Sequence, residues 1–197
     1  MELLECSTVR ILHQPSQKVI GSGFLITKRH VLTCAHVVLE ATNTENAHLI
    51  NTVVQLQFPF LAPLTTYSAK VIFVSSFTEG GKGDDLAVLE LPQQLPPEAL
   101  PARLIDIEKG YQQEFKAYGF PDGYPNGLWV SGLLRGRVST SRVQMEDIKQ
   151  TGYFIEPGFS GTAIWNEEHG GVLGMAVSAD VDRAVRVAFM IPTVRIR

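Results

Sequence analysis

The sequence is poor in cysteine, in clustered charge and in long apolar runs. Of its 197 residues only Cys6 and Cys34 are cysteines, too few for a disulfide framework or a four-cysteine zinc site. Lys and Arg number 17 against 20 Asp and Glu, for a net charge of -3. Because the basic residues are scattered, no nucleic acid is expected as a partner. No apolar run approaches the roughly 20 residues that span a bilayer, so no membrane partner is expected.

The beginning of the sequence is also informative through what it lacks. The first ten residues, MELLECSTVR, contain no basic segment followed by an apolar stretch and a small-residue cleavage site. We therefore expect a cytoplasmic, reducing location. Cys34 is expected to pack as a small apolar residue at a strand end rather than to act as a reactive thiol. No metal ion and no cofactor is expected.

Short β-type runs are what the sequence does contain. They are rich in Val, Ile, Leu, Phe and Thr and are bounded by Gly, Pro, Asn and Asp, the pattern of strands separated by turns. Helical patterns are limited to a short piece after Ala35 and to Met145–Lys149. The fold class is therefore predicted to be all-β. The predicted strands lie near 7–12, 20–27, 30–34, 52–58, 69–75, 86–91, 114–119, 129–139, 152–156, 162–166, 171–178 and 185–191.

A proline-rich stretch near the middle indicates how the chain is organised. Residues 92–101 hold four of the 11 prolines, and such a segment cannot pair inside a sheet. It predicts a linker at about 92–113 between an N-terminal half, 1–97, and a C-terminal half, 98–197. Each half holds about six short strands, a size suited to a small closed barrel.

Three short segments carry residues with catalytic chemistry. Val31–Val38 is an apolar run that leads into His36, Gly83–Leu91 places Asp85 at the start of an apolar strand, and Glu156–Trp165 contains Ser160 between glycines. Each segment alone has a bland explanation, as a packed histidine, an Asp in a turn or a surface turn. Their combination matters because a serine hydroxyl becomes a good nucleophile only beside a base, which a carboxylate must orient.

These motifs resemble those of the trypsin-like (chymotrypsin-fold) serine proteases. Thr-Cys-Ala-His, Asp-Leu-Ala-Val-Leu and Gly-Phe-Ser-Gly occur here in the order His, Asp, Ser, which is the order of that family. Gly21–Ile26 and Ala188–Pro192 are similar to compact bacterial members such as the HtrA-type proteases. The resemblance extends from about Val9 to Pro192. It implies two antiparallel Greek-key β-barrels with the active site between them.

The resemblance also implies a role for each motif residue. Ser160 is the expected nucleophile, His36 the general base, and Asp85 the carboxylate that orients the imidazole. The backbone N–H groups of Gly158 and Ser160 are the expected oxyanion hole. Asp84 is the close rival of Asp85, but Asp85 directly precedes the apolar Leu-Ala-Val-Leu run as in the family motif, which leaves Asp84 as a loop residue.

Two departures from the family pattern bear on activation and specificity. Phe159 stands where zymogen-derived members carry an aspartate, so activity is expected to be constitutive or to be controlled by loop ordering, a partner or a fused domain. No acidic residue is expected at the base of the primary pocket, which predicts a small or medium apolar side chain before the cut, although Asp180 or Asp182 could reach in from a flanking loop. The pocket is expected to be formed by Phe154, Val177, Ser178, Ala179 and Ala188.

The leading hypothesis is a serine endopeptidase that acts on a protein or peptide substrate. One alternative is a catalytically inactive module of the same fold that binds peptides or partners, because a fold survives the loss of its chemistry. Another is a structural β domain whose Gly-Phe-Ser-Gly turn is accidental. By analogy with compact family members, the chain is expected to be the protease effector module of a larger bacterial defence or stress protein, controlled by a fused or trans-acting regulatory domain.

Overall fold

A computed structural model describes residues 2–44, 48–75, 84–92, 94–106, 112–139, 141–146, 152–179 and 186–196. In this part of the chain, two short helices, α1 (Leu3–Ser7) and α2 (Ala35–Thr42), accompany twelve strands. The first six strands are β1 (Thr8–Leu12), β2 (Val19–Leu25), β3 (His30–Thr33), β4 (Val53–Phe58), β5 (Ala62–Val74) and β6 (Ala87–Glu90). The second six are β7 (Glu114–Gly119), β8 (Leu128–Arg137), β9 (Val143–Glu146), β10 (Ala163–Asn166), β11 (Gly171–Ala179) and β12 (Val187–Pro192). A 3-10 helix, Thr193–Arg195, follows β12.

The first six strands close into an antiparallel barrel in the order β1-β2-β3-β6-β5-β4. Strand β4 illustrates why: Val54, Leu56 and Phe58 are fully buried while Gln55 and Gln57 between them are half-buried. This period of two directs alternate side chains into the barrel. Strand β6 pairs with β3, so the β4-β5-β6 meander returns beside the first three strands as in a Greek key. Because β4 pairs with β1, the barrel is closed and has no unpaired sheet edge.

The second six strands form another closed antiparallel barrel, in the order β10-β11-β12-β9-β8-β7. In β8, Val130, Gly132 and Leu134 are buried at alternate positions. Its core also contains Phe115 and Phe159. The sequence-based prediction of an all-β fold with two antiparallel barrels is confirmed.

Two local predictions are wrong, and the sequence pattern did not predict helix α1. The helix expected from Met145 is instead the end of strand β9, whose Val143 and Met145 are buried while Gln144 and Glu146 are half-buried; residues 147–150 lie outside the described residues. The segment expected as a strand at 152–156 forms irregular chain, and Gly152 at its start has a φ of +105°, outside the extended region. Four or five residues are too few for periodicity to separate strand, helix and irregular chain.

The chain between the barrels runs along the surface of the first one. Of the proline-rich stretch 92–101, the described residues form no strand, and the stretch lies between β6 and β7. Leu100 N–H donates to Cys6 C=O at 3.3 Å, and Ala102 N–H donates to Leu25 C=O at 2.8 Å. Isolated bonds of this kind hold a connecting segment that cannot pair continuously.

Within the described residues, no helix is long and apolar enough to cross a membrane.

The two barrels pack against each other through apolar and backbone contacts. Trp165, Met175 and Val177 of the second barrel belong to the buried cluster that fills the first. Ser22 N–H, in β2, donates to Ser160 C=O at 2.8 Å. This packing brings the loop that precedes β10 against β2.

Candidate active site

His36 lies at the point where a strand gives way to a helix. Strand β3 ends at Thr33, Cys34 is the N-cap residue, and His36 is the second residue of α2. The first N–H groups of a helix have no partner within the helix. His36 N–H instead donates a hydrogen bond to Asp85 Oδ1, at 3.1 Å. The backbone of the histidine is therefore held by the same carboxylate that contacts its ring.

Asp85 meets His36 because β3 and β6 are neighbours. Thr33 pairs with Ala87, so the residues just after β3 and just before β6 lie at the same end of the barrel. Asp85 Oδ2 is 2.5 Å from His36 Nδ1. The Asp85 side chain is 5% exposed and the His36 side chain 32%. A donor at Nδ1 leaves Nε2 as the ring nitrogen that is available to accept a proton.

Ser160 lies in a loop made of two successive turns. Phe159 N–H donates to Glu156 C=O and Thr162 N–H donates to Phe159 C=O, both at 3.0 Å. Gly158 and Gly161 occupy the third positions of these turns with φ of +103° and +86°, where a type II turn requires a positive φ. The two glycines thus set the backbone path on either side of the serine.

The surroundings of this loop leave no room for a larger residue at either glycine. A Cβ on Gly158 would collide with Phe120 C=O, and one on Gly161 would collide with Ser22 C=O. Between them, the Phe159 side chain is fully buried in the core of the second barrel and faces Gly119. Phe159 is therefore an apolar anchor between the two glycines of the loop.

Two backbone donors near the serine are unused. Throughout the described residues, neither Gly158 N–H nor Ser160 N–H donates to a protein acceptor. Both residues line a cleft of about 750 Å³, together with His36. Unpaired N–H groups that face a cleft can bind an oxygen that gains negative charge during a reaction.

The cleft carries a second feature, an ion pair that sequence reasoning missed. Lys18 Nζ lies 2.9 Å from Asp122 Oδ1, with side chains 65% and 85% exposed. This hydrogen bond raises the pKa of Lys18 and lowers the pKa of Asp122. The pair connects the β1-β2 loop to the β7-β8 loop, and both residues line the cleft. Neither lies in a recognisable motif, so the sequence alone carried no signal for it.

The residues predicted to form the primary pocket fall into two groups. Val177 and Ser178 line the large cleft with Ser160. Phe154 and Ala188 line a separate cavity of about 10 Å³, where the guanidinium of Arg186 lies 5.2 Å from the Phe154 ring centroid. Backbone pairing aligns Ala179 with Ala188 between β11 and β12. Asp180 and Asp182 lie outside the described residues.

Cys34, His36 and Asp85 offer three potential metal ligands within 4.8 Å of one another. The carboxylate of Asp85, however, already accepts two hydrogen bonds from His36. The Cys34 thiol bonds Ala176 C=O at 3.4 Å; burial, and secondly the charge of Asp85, raise its pKa well above the usual value. Because a metal needs the thiolate, the cluster suits hydrogen bonding better than metal binding.

Asp84, the rival of Asp85, has a different environment. Its Oδ2 accepts a hydrogen bond from Arg195 Nη2 at 2.6 Å, whereas His36 is contacted by Asp85. The sequence-based choice of Asp85 rests on its position next to the apolar run, and in the structure Asp85 is the aspartate that contacts His36. No sequence pattern indicated Arg195, which lies 111 positions further along the chain.

Together these features define a class of protein, in which a two-barrel β fold carries a half-buried histidine paired with a buried aspartate, beside a glycine-flanked serine that shares its cleft. A family model described as trypsin-like peptidase domain matches residues 21–175. The chain therefore belongs to the trypsin-like peptidase domain family.

Solved structures share this fold. The inactivated protease paralogue S-I1 of the scabies mite has 17% identity and a TM-score of 0.74, with 98% of this chain and 91% of that chain covered. The active form of the Rv3671c protease of M. tuberculosis has 25% identity and a TM-score of 0.61, covering 98% and 78%. An inactive serine-to-alanine mutant of Rv3671c has 21% identity and a TM-score of 0.63, covering 98% and 85%. A search of curated proteins found no match.

Proposed function

We propose that this peptidase domain is a serine endopeptidase in which Ser160 is the nucleophile, His36 the general base and Asp85 the orienting carboxylate. The observation that carries the proposal is the 2.5 Å contact between His36 Nδ1 and Asp85 Oδ2, in the wall of the cleft that also contains Ser160. A carboxylate at Nδ1 fixes the tautomer in which Nε2 accepts a proton, which is the state a base needs.

In the proposed reaction, Ser160 Oγ bonds to the carbonyl carbon of the substrate while its proton passes to His36 Nε2. The C–N bond then breaks, and the amine leaves with that proton. Water attacks the resulting acyl-enzyme in the same manner, and the acid product leaves as Ser160 regains its proton. Asp85 stays ionised throughout and stabilises the imidazolium.

The N–H groups of Gly158 and Ser160 are the proposed oxyanion hole. Their support is that neither donates to a protein acceptor within the described chain, while the turn geometry of Gly158 holds the first of them in place. Preorganised donors stabilise developing charge without the reorganisation that water would need. Each such donor contributes about 2.7–4 kcal/mol to transition-state stabilisation where it has been measured in other enzymes.

We propose that the loop needs no new amino terminus to become ordered. The fully buried Phe159 side chain supplies apolar packing where zymogen-derived members form an ion pair. Control by a fused or trans-acting regulatory domain of a larger bacterial defence or stress protein stays part of this proposal. Such a domain would act on the access of a protein or peptide substrate to the cleft.

For specificity we retain the proposal of a small or medium apolar side chain before the cut. Phe154, Val177, Ser178, Ala179 and Ala188 stay the proposed pocket. The proposal is supported by Val177 and Ser178, small and medium-sized residues that line the cleft with Ser160. A panel of peptides that differ only at this position tests it, and a strong preference for Arg or Lys would contradict it.

The experiment that tests the proposed chemistry is labelling with a fluorophosphonate probe, which reacts with an activated serine. We expect the wild-type protein to be labelled, Ser160→Ala not to be labelled, and Ser139→Ala to behave as the wild type. Ser139 is an exposed serine after β8, so it controls for the loss of any hydroxyl. Labelling that persists in Ser160→Ala would contradict the proposal.

The second candidate function is an inactive module that binds peptides or partners. The fold is compatible with it, since the scabies mite paralogue with the same fold is described as an inactivated protease. Failure of the wild-type protein to react with the probe, both alone and with candidate partners, would favour this function over catalysis.

A further inference from the structure

An ion pair joins the residue before Asp85 to the 3-10 helix that follows β12. Arg195 Nη2 donates to Asp84 Oδ2 at 2.6 Å. The Asp84 side chain is 19% exposed and the Arg195 side chain 47%. The pair is thus considerably less exposed than Lys18–Asp122, and it links the second barrel to the segment of the first that carries Asp85.

Asp84 also shapes the backbone around Asp85. Leu86 N–H donates to Asp84 C=O at 2.8 Å, which closes a three-residue turn with Asp85 at its centre. Leu86 N–H additionally approaches Ser75 Oγ at 3.0 Å. The position of Asp84 therefore determines the direction in which the turn presents the Asp85 carboxylate.

The other end of the pair is anchored independently. Thr193 Oγ1 donates to Ile105 C=O at 2.6 Å and lies 3.2 Å from Leu173 C=O. Ile196 packs against the buried cluster of the first barrel. Arg195 is consequently presented from a fixed segment rather than from a free side chain on the surface.

The Asp84 carboxylate depends on this partner. Its Oδ1 is buried and has no hydrogen-bond partner within the described residues. Burial of a charged oxygen without a partner is unfavourable, and the Arg195 guanidinium is the cation that compensates for it. Without Arg195 the carboxylate would turn towards water, and the turn that contains Asp85 would move with it.

We propose that Asp84 and Arg195 are a positioning pair for Asp85, which keeps both of its carboxylate oxygens on His36. This inference rests on the proposed catalytic role of Asp85. Neither Asp84 nor Arg195 is among the described residues that line the cleft. Their loss is therefore expected to impair the chemical step and to leave substrate binding unchanged.

The test is steady-state kinetics on the full chain with a peptide substrate. Arg195→Gln is expected to lower kcat roughly tenfold with little change in KM, well within the ~100-fold that a 1 Å misplacement can cost. Arg195→Lys keeps the charge and should recover part of the loss. Adding Asp84→Asn to Arg195→Gln should cost little more, since the two residues act as one unit.

The chain offers a matched control at the other end of the same strand. Arg29 pairs with Glu90, the last residue of β6, at 3.1 Å. Like Arg195→Gln, the Arg29→Gln substitution removes one arginine and one ion pair, in this case within the first barrel. It is expected to leave kcat unchanged. Thermal unfolding of all variants separates a kinetic effect from a loss of folded protein.

A second readout follows the geometry itself. The proton between His36 Nδ1 and Asp85 should give a far-downfield NMR signal, as expected of a short charge-assisted hydrogen bond. In Arg195→Gln this signal should move upfield or broaden, and in Arg29→Gln it should not change.

The outcomes distinguish the two proposals. If the wild-type protein does not react with the fluorophosphonate probe, the proposed function fails, but the NMR signal still tests the positioning pair. If the wild-type protein is active and Arg195→Gln matches Arg29→Gln in both kcat and the His36 signal, the positioning pair is wrong. A change confined to KM would overturn it as well.

Discussion

The two barrels hold their parts of the site by different means. The first barrel uses side chains: the Asp85 carboxylate accepts hydrogen bonds from His36 N and Nδ1, and the neighbouring Asp84 accepts one from Arg195, which follows the last strand of the second barrel. The second barrel uses the backbone: Ser160 lies between two turns whose third residues are glycines with positive φ. In the first half the site depends on hydrogen bonds made by side chains, and in the second half it depends on the conformation of the backbone.

This difference predicts different sensitivities in the two halves. The hydrogen bonds of the first half depend on a charged acceptor. They should be lost when a substitution of the same size replaces an acceptor atom with a donor. A backbone that depends on the absence of a Cβ should fail when one carbon is added without any change in polarity. Substitutions chosen along these two lines test the comparison.

The largest effect is expected for Asp85→Asn. The amide is nearly isosteric, but its NH₂ group only donates, so one of the two His36 N–H groups loses its acceptor and the wrong tautomer of the ring is favoured. We expect kcat to fall by about 10⁴-fold, as in other triads, with an unfolding midpoint close to that of the wild type. A standard peptide assay measures it.

The control for this change is Glu90→Gln, the same kind of substitution at the far end of β6, which should leave kcat unaffected. A loss of less than tenfold in Asp85→Asn would mean that the carboxylate does not set the tautomer. The first half of the comparison would then be wrong.

The next largest effect is expected for Gly158→Ala. The added carbon would collide with Phe120 C=O, so the turn must shift and move Gly158 N–H. Loss of one such donor costs about 10²–10³ in kcat in other enzymes, and we expect a loss in this range. Kinetics with the same peptide as for Asp85→Asn permit a direct comparison.

The control for Gly158→Ala is Gly152→Ala, which distinguishes a collision of the added Cβ from the strain of a positive φ. Gly152 has a φ of +105°, almost the same as that of Gly158, but a Cβ there meets nothing within 4 Å. It should therefore carry the left-handed strain, about 1–2 kcal/mol, without loss of the donor. Equal kcat values for the two alanine variants would show that space around Gly158 is not the cause.

The fold was largely predictable because the evidence for it is local. Alternation in short runs such as Val53–Phe58 directs side chains to one face, and the proline-rich stretch interrupts pairing. Prediction failed at Val143–Glu146, where four residues fit a helix or a strand equally well, and at 152–156, where apolar residues form irregular chain. In both segments the local conformation is determined by contacts with residues that are distant in the sequence.

The candidate site divides in the same manner. His36, Asp85 and Ser160 lie in motifs with recognisable flanks, so sequence reasoning could select them. The pairs Lys18–Asp122 and Asp84–Arg195 join residues more than a hundred positions apart and lie in no motif. A contact that depends on the docking of two barrels leaves no periodic or local signal in either segment.

The smallest expected effect concerns Cys34, which connects the two halves through its contact with Ala176 C=O. Its pKa in the folded state is raised by burial and by Asp85, whereas in the unfolded chain it returns to about 8.5. The unfolded state therefore releases the thiol proton first as pH rises. Above about pH 8.5, folded stability should decline by up to ~1.4 kcal/mol per pH unit because of this group.

Urea unfolding of the wild type and of Cys34→Ala at pH 7 and at pH 10 measures this difference. The wild type should lose more stability between the two pH values than the variant, because only the wild type carries the Cys34 thiol. Cys6→Ala is the matched control: it removes another buried thiol but keeps Cys34, so it should still show the loss of stability that depends on Cys34. Parallel pH dependence of the wild type and Cys34→Ala would show that the thiol is not shielded at the junction of the barrels, and that the two halves are less tightly joined than their packing indicates.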